Sequence, residues 1–107
     1  MAFYEIRQYF IFDGQMAAWR RLFEEEIVPF QVARGMVIAG VFEGETDKNV
    51  FVWIRRFKDE AERERLYAAV YEDDHWKSSI SPRIGELMDR GKIKVQRVTP
   101  MDVSVLQ

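Results

Sequence analysis

The spacing of apolar and polar positions changes several times along this 107-residue chain. Residues 3–11, which contain YEIRQYFI, alternate in the manner of a β-strand and gather Glu5, Arg7 and Tyr9 on one face. A DGQ turn at 13–15 ends that run. From 15 to 34 the period becomes helical, with Met16, Trp19, Phe23, Ile27 and Phe30 at spacings of three and four. Pro29 removes a backbone donor inside this helix and is expected to kink it. Gly35 is expected to stop the helix in the left-handed region. Arg20 with Glu24, and Arg21 with Glu25, have the spacing of ion pairs on the wet side.

MVIAGVFE (36–43) reads as a second strand and VFVWIRRF (50–57) as a third. The polar GETDKN between them predicts an antiparallel hairpin. Asp59 and Glu62 have capping-box spacing and open a helix to about 72, with Leu66, Ala69 and Val70 expected inward. EDDHWKSS interrupts. Ser81 and Pro82 then suit the start of a short helix ending near Gly91, and KIKVQRV (92–98) is a fourth strand. The order is β-α-β-β-α-β over a single domain, 1–107. Right-handed crossovers turn this into a four-stranded antiparallel sheet with both main helices on one face, a ferredoxin-like α+β arrangement.

In the inner strands both faces are apolar or aromatic. Val50, Val52 and Ile54 point one way, and Phe51, Trp53 and Phe57 the other, while Met36, Ile38 and Phe42 oppose Val37, Ala39 and Val41. Two helices cover one face only. A bare face carrying Trp53 and Phe51 would exceed the apolar patch a monomer tolerates, and burying roughly 800 Å² per subunit against a second copy removes the difficulty. A twofold homodimer, sheet facing sheet, is therefore expected. The face holding Glu5, Arg7, Tyr9, Trp53 and Arg55 lines either that dimer core or a pocket beside it.

Composition narrows the function classes. The net charge of −2, from 16 basic and 18 acidic residues, lacks the basic surplus of a nucleic-acid binder. With no cysteine, disulfides, thiolate metal sites and cysteine nucleophiles are out. No apolar run approaches the ~20 residues of a membrane span, the first residues lack the pattern of an export signal, and the cytosol is the expected location. RNA-recognition motifs share the β-α-β-β-α-β order and place stacking aromatics on their third strand, as VFVWIRRF does superficially. The glycines of that motif are absent, and Glu5 would repel phosphate.

Three stretches carry a family resemblance. YEIRQYFIFDGQMAAWRRLFEEEIVPF resembles the opening of NIPSNAP domains. GVFEGETDKNVFVWIRRFKDEAERERLYAAVYEDDHW is similar to their middle, and KVQRVTPMDVS to their closing strand. The resemblance covers nearly the whole chain through the order and spacing of its blocks. It implies a dimeric α+β barrel, a superfamily that includes haem-degrading enzymes, cofactor-free monooxygenases and groups without known activity. NIPSNAP domains belong mostly to the last kind.

The candidate chemistry is sparse. Arg7 could hold a carboxylate or phosphate while Tyr9 offers a phenolic proton; the plainer reading is a Glu–Arg pair that fixes strand or subunit register. His75, the only histidine, stands in EDDHWK as a general acid/base or ligand, or simply as a surface residue at a helix end. In haem-degrading relatives a histidine in a comparable region ligates iron. His75 with Asp73 and Asp74 does not make a zinc set, because adjacent helix carboxylates point apart. No metal or cofactor is expected. Trp53 and Trp76 either wall an apolar pocket or pack a core or interface, and DEAERERLY reads as a solvated helix face. The favoured outcome is a homodimer with a small apolar or acidic ligand held between helices and sheet by Arg7, Tyr9, Trp53, His75 and Trp76. The alternatives are a cofactor-free or haem-linked monooxygenase-like enzyme and a protein-interaction module.

Overall fold

A computed structural model describes residues 1–107. Strand β1 (Phe3–Phe10) leads into a long helical segment made of α1 (Met16–Leu22), a π-helical turn (Phe23–Ile27) and α2 (Val28–Ala33). The hairpin β2 (Val37–Glu43) and β3 (Val50–Phe57) follows, then α3 (Glu60–Tyr71), a second π-helical turn (Trp76–Ile80) and α4 (Ser81–Leu87). A 3-10 turn (Arg90–Lys92) leads to β4 (Lys94–Val98). The four strands run antiparallel in the order β2-β3-β1-β4, which agrees with the connectivity expected from the sequence. No helix is long and apolar enough to cross a membrane.

Both π turns sit just before a proline, Pro29 and Pro82. In each, the amide that closes the turn reaches five residues back, Val28 to the Phe23 carbonyl and Ser81 to the Trp76 carbonyl. The helix runs on through Pro29, and ahead of it the chain widens into a π turn that absorbs the missing donor. The widening also cancels the angular drift that successive spacings of four accumulate in an α-helix. Trp19, Phe23, Ile27 and Gln31 therefore stay inward together, all buried, while Phe30 is only half-buried.

Strand alternation settles which sheet face the helices cover. Phe51, Trp53, Arg55 and Phe57 of β3 are buried beneath them, as are Phe3, Glu5 and Tyr9 of β1. The open face carries Val50, Val52 and Ile54 beside Ile6. The sequence leaves open which face the helices cover; they take the larger aromatic face with Phe51 and Trp53, where more area leaves water, so the bare face is the aliphatic one. In β2 the register shifts between Ile38 and Gly40, so the alternation predicted through Ala39 and Val41 breaks at a bulge.

Several local signals act as written. The Glu62 amide donates to Asp59 Oδ1 at 2.8 Å, and the Glu62 carboxylate accepts from the Lys58 amide at 3.0 Å. Gly35 adopts φ 106° at the end of α2, a conformation costly for a residue with a Cβ. Others give way. Arg20 pairs with Glu43 of β2 instead of Glu24, because β2 is the sheet edge beside α1. Ala69 is exposed, and only Leu66 and Val70 of α3 are fully buried.

Candidate functional site

Between the helices and the sheet lies a cavity of about 140 Å³. Its walls include Tyr9 and Trp53 from the sheet, Trp19, Phe23 and Ile27 from the first helical segment, Tyr67 and Tyr71 from α3, and Trp76 from the second π turn. All three tryptophans of the chain contribute. Both widened turns face the space, Phe23 and Ile27 from one and Trp76 from the other. Two arginines line it, Arg7 inside and the exposed Arg90 at the solvent edge, and no carboxylate does.

One wall rests on a buried polar network. Period-two alternation places Glu5 directly across from Arg55 in the β1–β3 ladder. Both side chains, with Gln31, are 0% exposed. Arg55 Nη2 donates to Glu5 Oε1 at 2.9 Å, and Arg63 Nε to Glu5 Oε2 at 2.7 Å. The Tyr67 hydroxyl donates to the same carboxylate at 2.7 Å. Burial pushes the Glu5 carboxyl up, but Tyr67, Arg63 and Arg55 outweigh it and hold the group below its usual range. Burial, with help from the bond to Glu5, pushes the Tyr67 phenol up to about 12 against the pull of Arg55 and Arg7. Tyr67 is therefore a fixed proton donor to Glu5.

Arg55 also donates through Nη1, to Tyr71 Oη at 2.6 Å and Gln31 Oε1 at 3.1 Å. Its Nε, with the indole nitrogens of Trp19 and Trp53, has no protein partner. Arg7 is held differently. Its side chain is 16% exposed, and its nearest carboxylate oxygen, on Glu5, is 3.9 Å away. Arg7 Nε donates to Tyr9 Oη at 3.0 Å, and Nη1 lies 3.5 Å from Tyr67 Oη. Three guanidiniums thus share one carboxylate, and Arg55 and Arg63 occupy it. Burial opposes the charge on Arg7, yet the phenol oxygens of Tyr9, Tyr71 and Tyr67 keep it above the usual arginine range.

The residues singled out in the sequence divide into three groups. Arg7, Tyr9, Trp53 and Trp76 meet at the cavity. Glu5 and Arg55 lie behind its wall, and their pair crosses strands within the chain. His75 is exposed and stands away from the cavity. Its ring lies 5.8 Å from that of Phe30, and its amide donates to Asp73 Oδ1. A cavity of single-ring size whose walls include no imidazole does not fit haem. DEAERERLY (59–67) reads as a wet face, and Glu60, Glu64 and Arg65 are exposed; the structure corrects that reading at Arg63 and Tyr67, which turn inward with Tyr71 one turn further on. Their spacing of four is the signal that could have found them: one stripe of α3 runs along the Glu5–Arg55 pair. Gln31 and Arg90 carried no sequence signal.

A second, larger depression of about 340 Å³ lies on the open face, between Tyr4, Ile6 and Ile54 and the closing segment that holds Pro100, Met101 and Leu106. It has no charged side chain, and its polar side chains are the hydroxyls of Tyr4, Thr99 and Ser104. Tyr4 Oη and Arg56 Nε both donate to the Gln107 carbonyl and tie that segment to the sheet. The smaller cavity is the better candidate, because its polar groups converge on an apolar space.

An antiparallel α+β sandwich with an aromatic cavity between its layers is the class that these features define. The chain belongs to the NIPSNAP family, whose model matches residues 4–104. A NIPSNAP family protein of unknown function from Agrobacterium tumefaciens superposes with TM-score 0.89 at 27% identity, covering 99% of this chain and 94% of that one. A second NIPSNAP family protein from the same organism gives TM-score 0.89 at 22% identity over 100% of both chains. An uncharacterised NIPSNAP-like domain protein from Burkholderia xenovorans gives 0.85 at 21%, covering 96% of this chain and 88% of that one. The last two speak for the fold alone. No curated protein matches the chain.

Proposed function

We propose that this NIPSNAP protein is a homodimer whose cavity between helices and sheet binds a small ligand of apolar body and acidic character. One observation carries the reading: the space is walled by three tryptophans, and the guanidinium inside it, Arg7, has only phenol oxygens within 3.5 Å. Arg7 anchors the ligand's acidic group, and Trp53 and Trp76 pack its body. Tyr9, hydrogen-bonded to Arg7, is the group placed to exchange a proton should the site support a reaction. The cytosol is the setting we propose, since nothing in the cysteine-free composition calls for an oxidising compartment.

The dimer rests on the other face. Ile6, Val52 and Ile54 lie side by side there with no helix over them, half-buried beside the closing segment, and Phe42 at the edge is 54% exposed. A second copy laid sheet to sheet gives the dimeric α+β barrel and covers this patch. That surface also supports the second reading, an interaction module in which the fold serves association alone.

Native mass spectrometry of wild type and Arg7→Ala, after incubation with a small-molecule cell extract, separates the two. The ligand reading expects a dimer with added small-molecule mass that Arg7→Ala loses while staying dimeric. Added mass that Arg7→Ala retains removes Arg7 as the anchor, and a dimer that never carries added mass favours the interaction module. A wild-type dimer that gains no mass from the extract sinks the ligand reading.

A further inference from the structure

Resting on the ligand reading, we infer that the cavity selects a monoanion built on one planar ring, an aromatic carboxylate of benzoate size, and that Arg90 is a second anion-binding residue at its rim. The donor inventory supports the charge. Arg7 Nη2 has no acceptor among the protein's own groups, and its Nε and Nη1 meet only phenol oxygens. The phenols of Tyr9 and Tyr71 accept hydrogen bonds from Arg7 and Arg55, but neither phenolic proton has an acceptor in the protein. Arg7, Tyr9 and Tyr71 all line the space. In a chain with more acidic than basic residues, the lining holds two arginines and no aspartate or glutamate. Such a surface suits a compact oxyanion with several lone pairs and a single charge. A neutral ligand would leave Arg7 with only a share of Glu5, 3.9 Å away and already held by Arg55 and Arg63.

Size and wall chemistry define the body of the ligand. About 140 Å³ is the scale at which an apolar cavity takes up a single benzene ring. Half of the lining residues are aromatic: Tyr9 meets Trp19 edge to face at 5.8 Å and Phe23 meets Trp53 at 5.2 Å, and Tyr71 meets Trp76 edge-on at 5.1 Å. A flat ring continues that packing better than a flexible chain.

Arg90 is poised at the opening. Its guanidinium lies across α4, with Nη2 donating to the Ser81 carbonyl at 2.5 Å and to the Ser81 hydroxyl at 3.1 Å. Gly85, inside α4 where glycine is a poor helix former, leaves room beside the route. A Cβ at that position would stand 3.3 Å from Arg90 Nε. Both acceptors are neutral, so a carboxylate entering the cavity offers Arg90 a stronger, charge-assisted partner.

Isothermal titration calorimetry with benzoate and its neutral counterpart benzyl alcohol tests the inference on the full chain. Benzoate is expected to bind about tenfold or more tightly than benzyl alcohol, one charge-assisted hydrogen bond's worth of preference. Arg90→Gln is expected to weaken benzoate several-fold while leaving benzyl alcohol unchanged. Gly85→Ala, whose Cβ presses on Arg90 Nε by only a few tenths of an ångström, is expected to change the preference less than Arg90→Gln does. Thermal unfolding followed by circular dichroism checks that these variants, altered at exposed positions, remain folded. Benzyl alcohol binding as tightly as benzoate overturns the anion class and leaves the ligand reading standing. Benzoate affinity unchanged in Arg90→Gln overturns the rim assignment. Failure of both compounds to bind overturns the inference, whereas the ligand reading falls only if the cell extract also adds no mass.

Discussion

Replacing Glu5 by glutamine probes the network behind the cavity at its most constrained point. Glu5→Gln keeps the shape and one acceptor oxygen but removes the only anion beside Arg55, and Glu5 and Arg55 are each 0% exposed. Arg55 is left with neutral partners, Gln31 Oε1, Tyr71 Oη and Tyr67 Oη. Breaking a buried ion pair from one side costs about 3–5 kcal/mol. Arg63, with 25% of its side chain exposed, can turn toward water and Glu60, so its share is small, under about 1 kcal/mol. A loss of about 4 kcal/mol is a large part of the roughly 5–15 kcal/mol that holds a domain folded, and it lowers Tm on the order of 15–20 °C.

The pH dependence of that loss has a definite sign. A carboxyl held below its unfolded value contributes stability that is complete above the unfolded pKa, about 4.3, and disappears as pH falls through the folded value. Glu5 is such a group. The gap between wild type and Glu5→Gln should therefore be widest at neutral pH and narrow on acidification below about pH 4.3. Urea denaturation at pH 7, 5 and 3.5, with m-values compared to confirm a common unfolding transition, measures it directly. A gap of less than about 1 kcal/mol at pH 7, or one that stays constant with pH, would refute the reasoning, since Arg55 would then be served adequately by its neutral neighbours.

Other consequences follow from particular contacts. Asp59→Ala removes the side-chain acceptor of the Glu62 amide and should cost about 0.5–2 kcal/mol in urea denaturation without affecting ligand binding. Gly35→Ala forces a side chain onto φ 106° with its Cβ 3.2 Å from Leu66; a loss of at least about 1 kcal/mol is expected, and an unchanged midpoint would show that the backbone relaxes. Ile54→Lys on the open face should turn the proposed dimer into a folded monomer in analytical ultracentrifugation, and an undisturbed dimer would place the interface elsewhere.

Much of the fold was legible because the periods are clean. Alternation in residues 4–10 and 50–57 put Glu5, Arg7, Tyr9, Trp53 and Arg55 on one face, and Asp59 with Glu62 marked the start of α3. What alternation cannot supply is the side from which the helices approach. Val50, Val52 and Ile54 are as apolar a row as Phe51, Trp53 and Phe57, and the choice depends on the total area buried in three dimensions. The π turns were hidden because a proline in a helical pattern signals disruption without saying how the chain absorbs it. Arg63 and Tyr67 are obscured by DEAERERLY, whose charge density resembles a solvated surface, and Tyr71 gains its meaning only from them. Arg63 is buried enough to reach Glu5 only because that carboxylate lies beneath α3. A polar residue's inward orientation is decided by its partner, and no spacing rule within one helix contains that partner.

The central claim is that ligands enter the cavity between helices and sheet, and the indole N–H signals of Trp19, Trp53 and Trp76 report on it directly. In two-dimensional nitrogen–proton NMR of the labelled protein titrated with benzoate, all three signals should move together along one binding curve. The backbone amides of Val52 and Ile54 should follow no such curve, although their side chains face the opposite surface of the same strand. Movement confined to amides around Tyr4, Ile6 and Ile54, with the three indoles unmoved, would place the ligand under the closing segment on the open face and contradict the account.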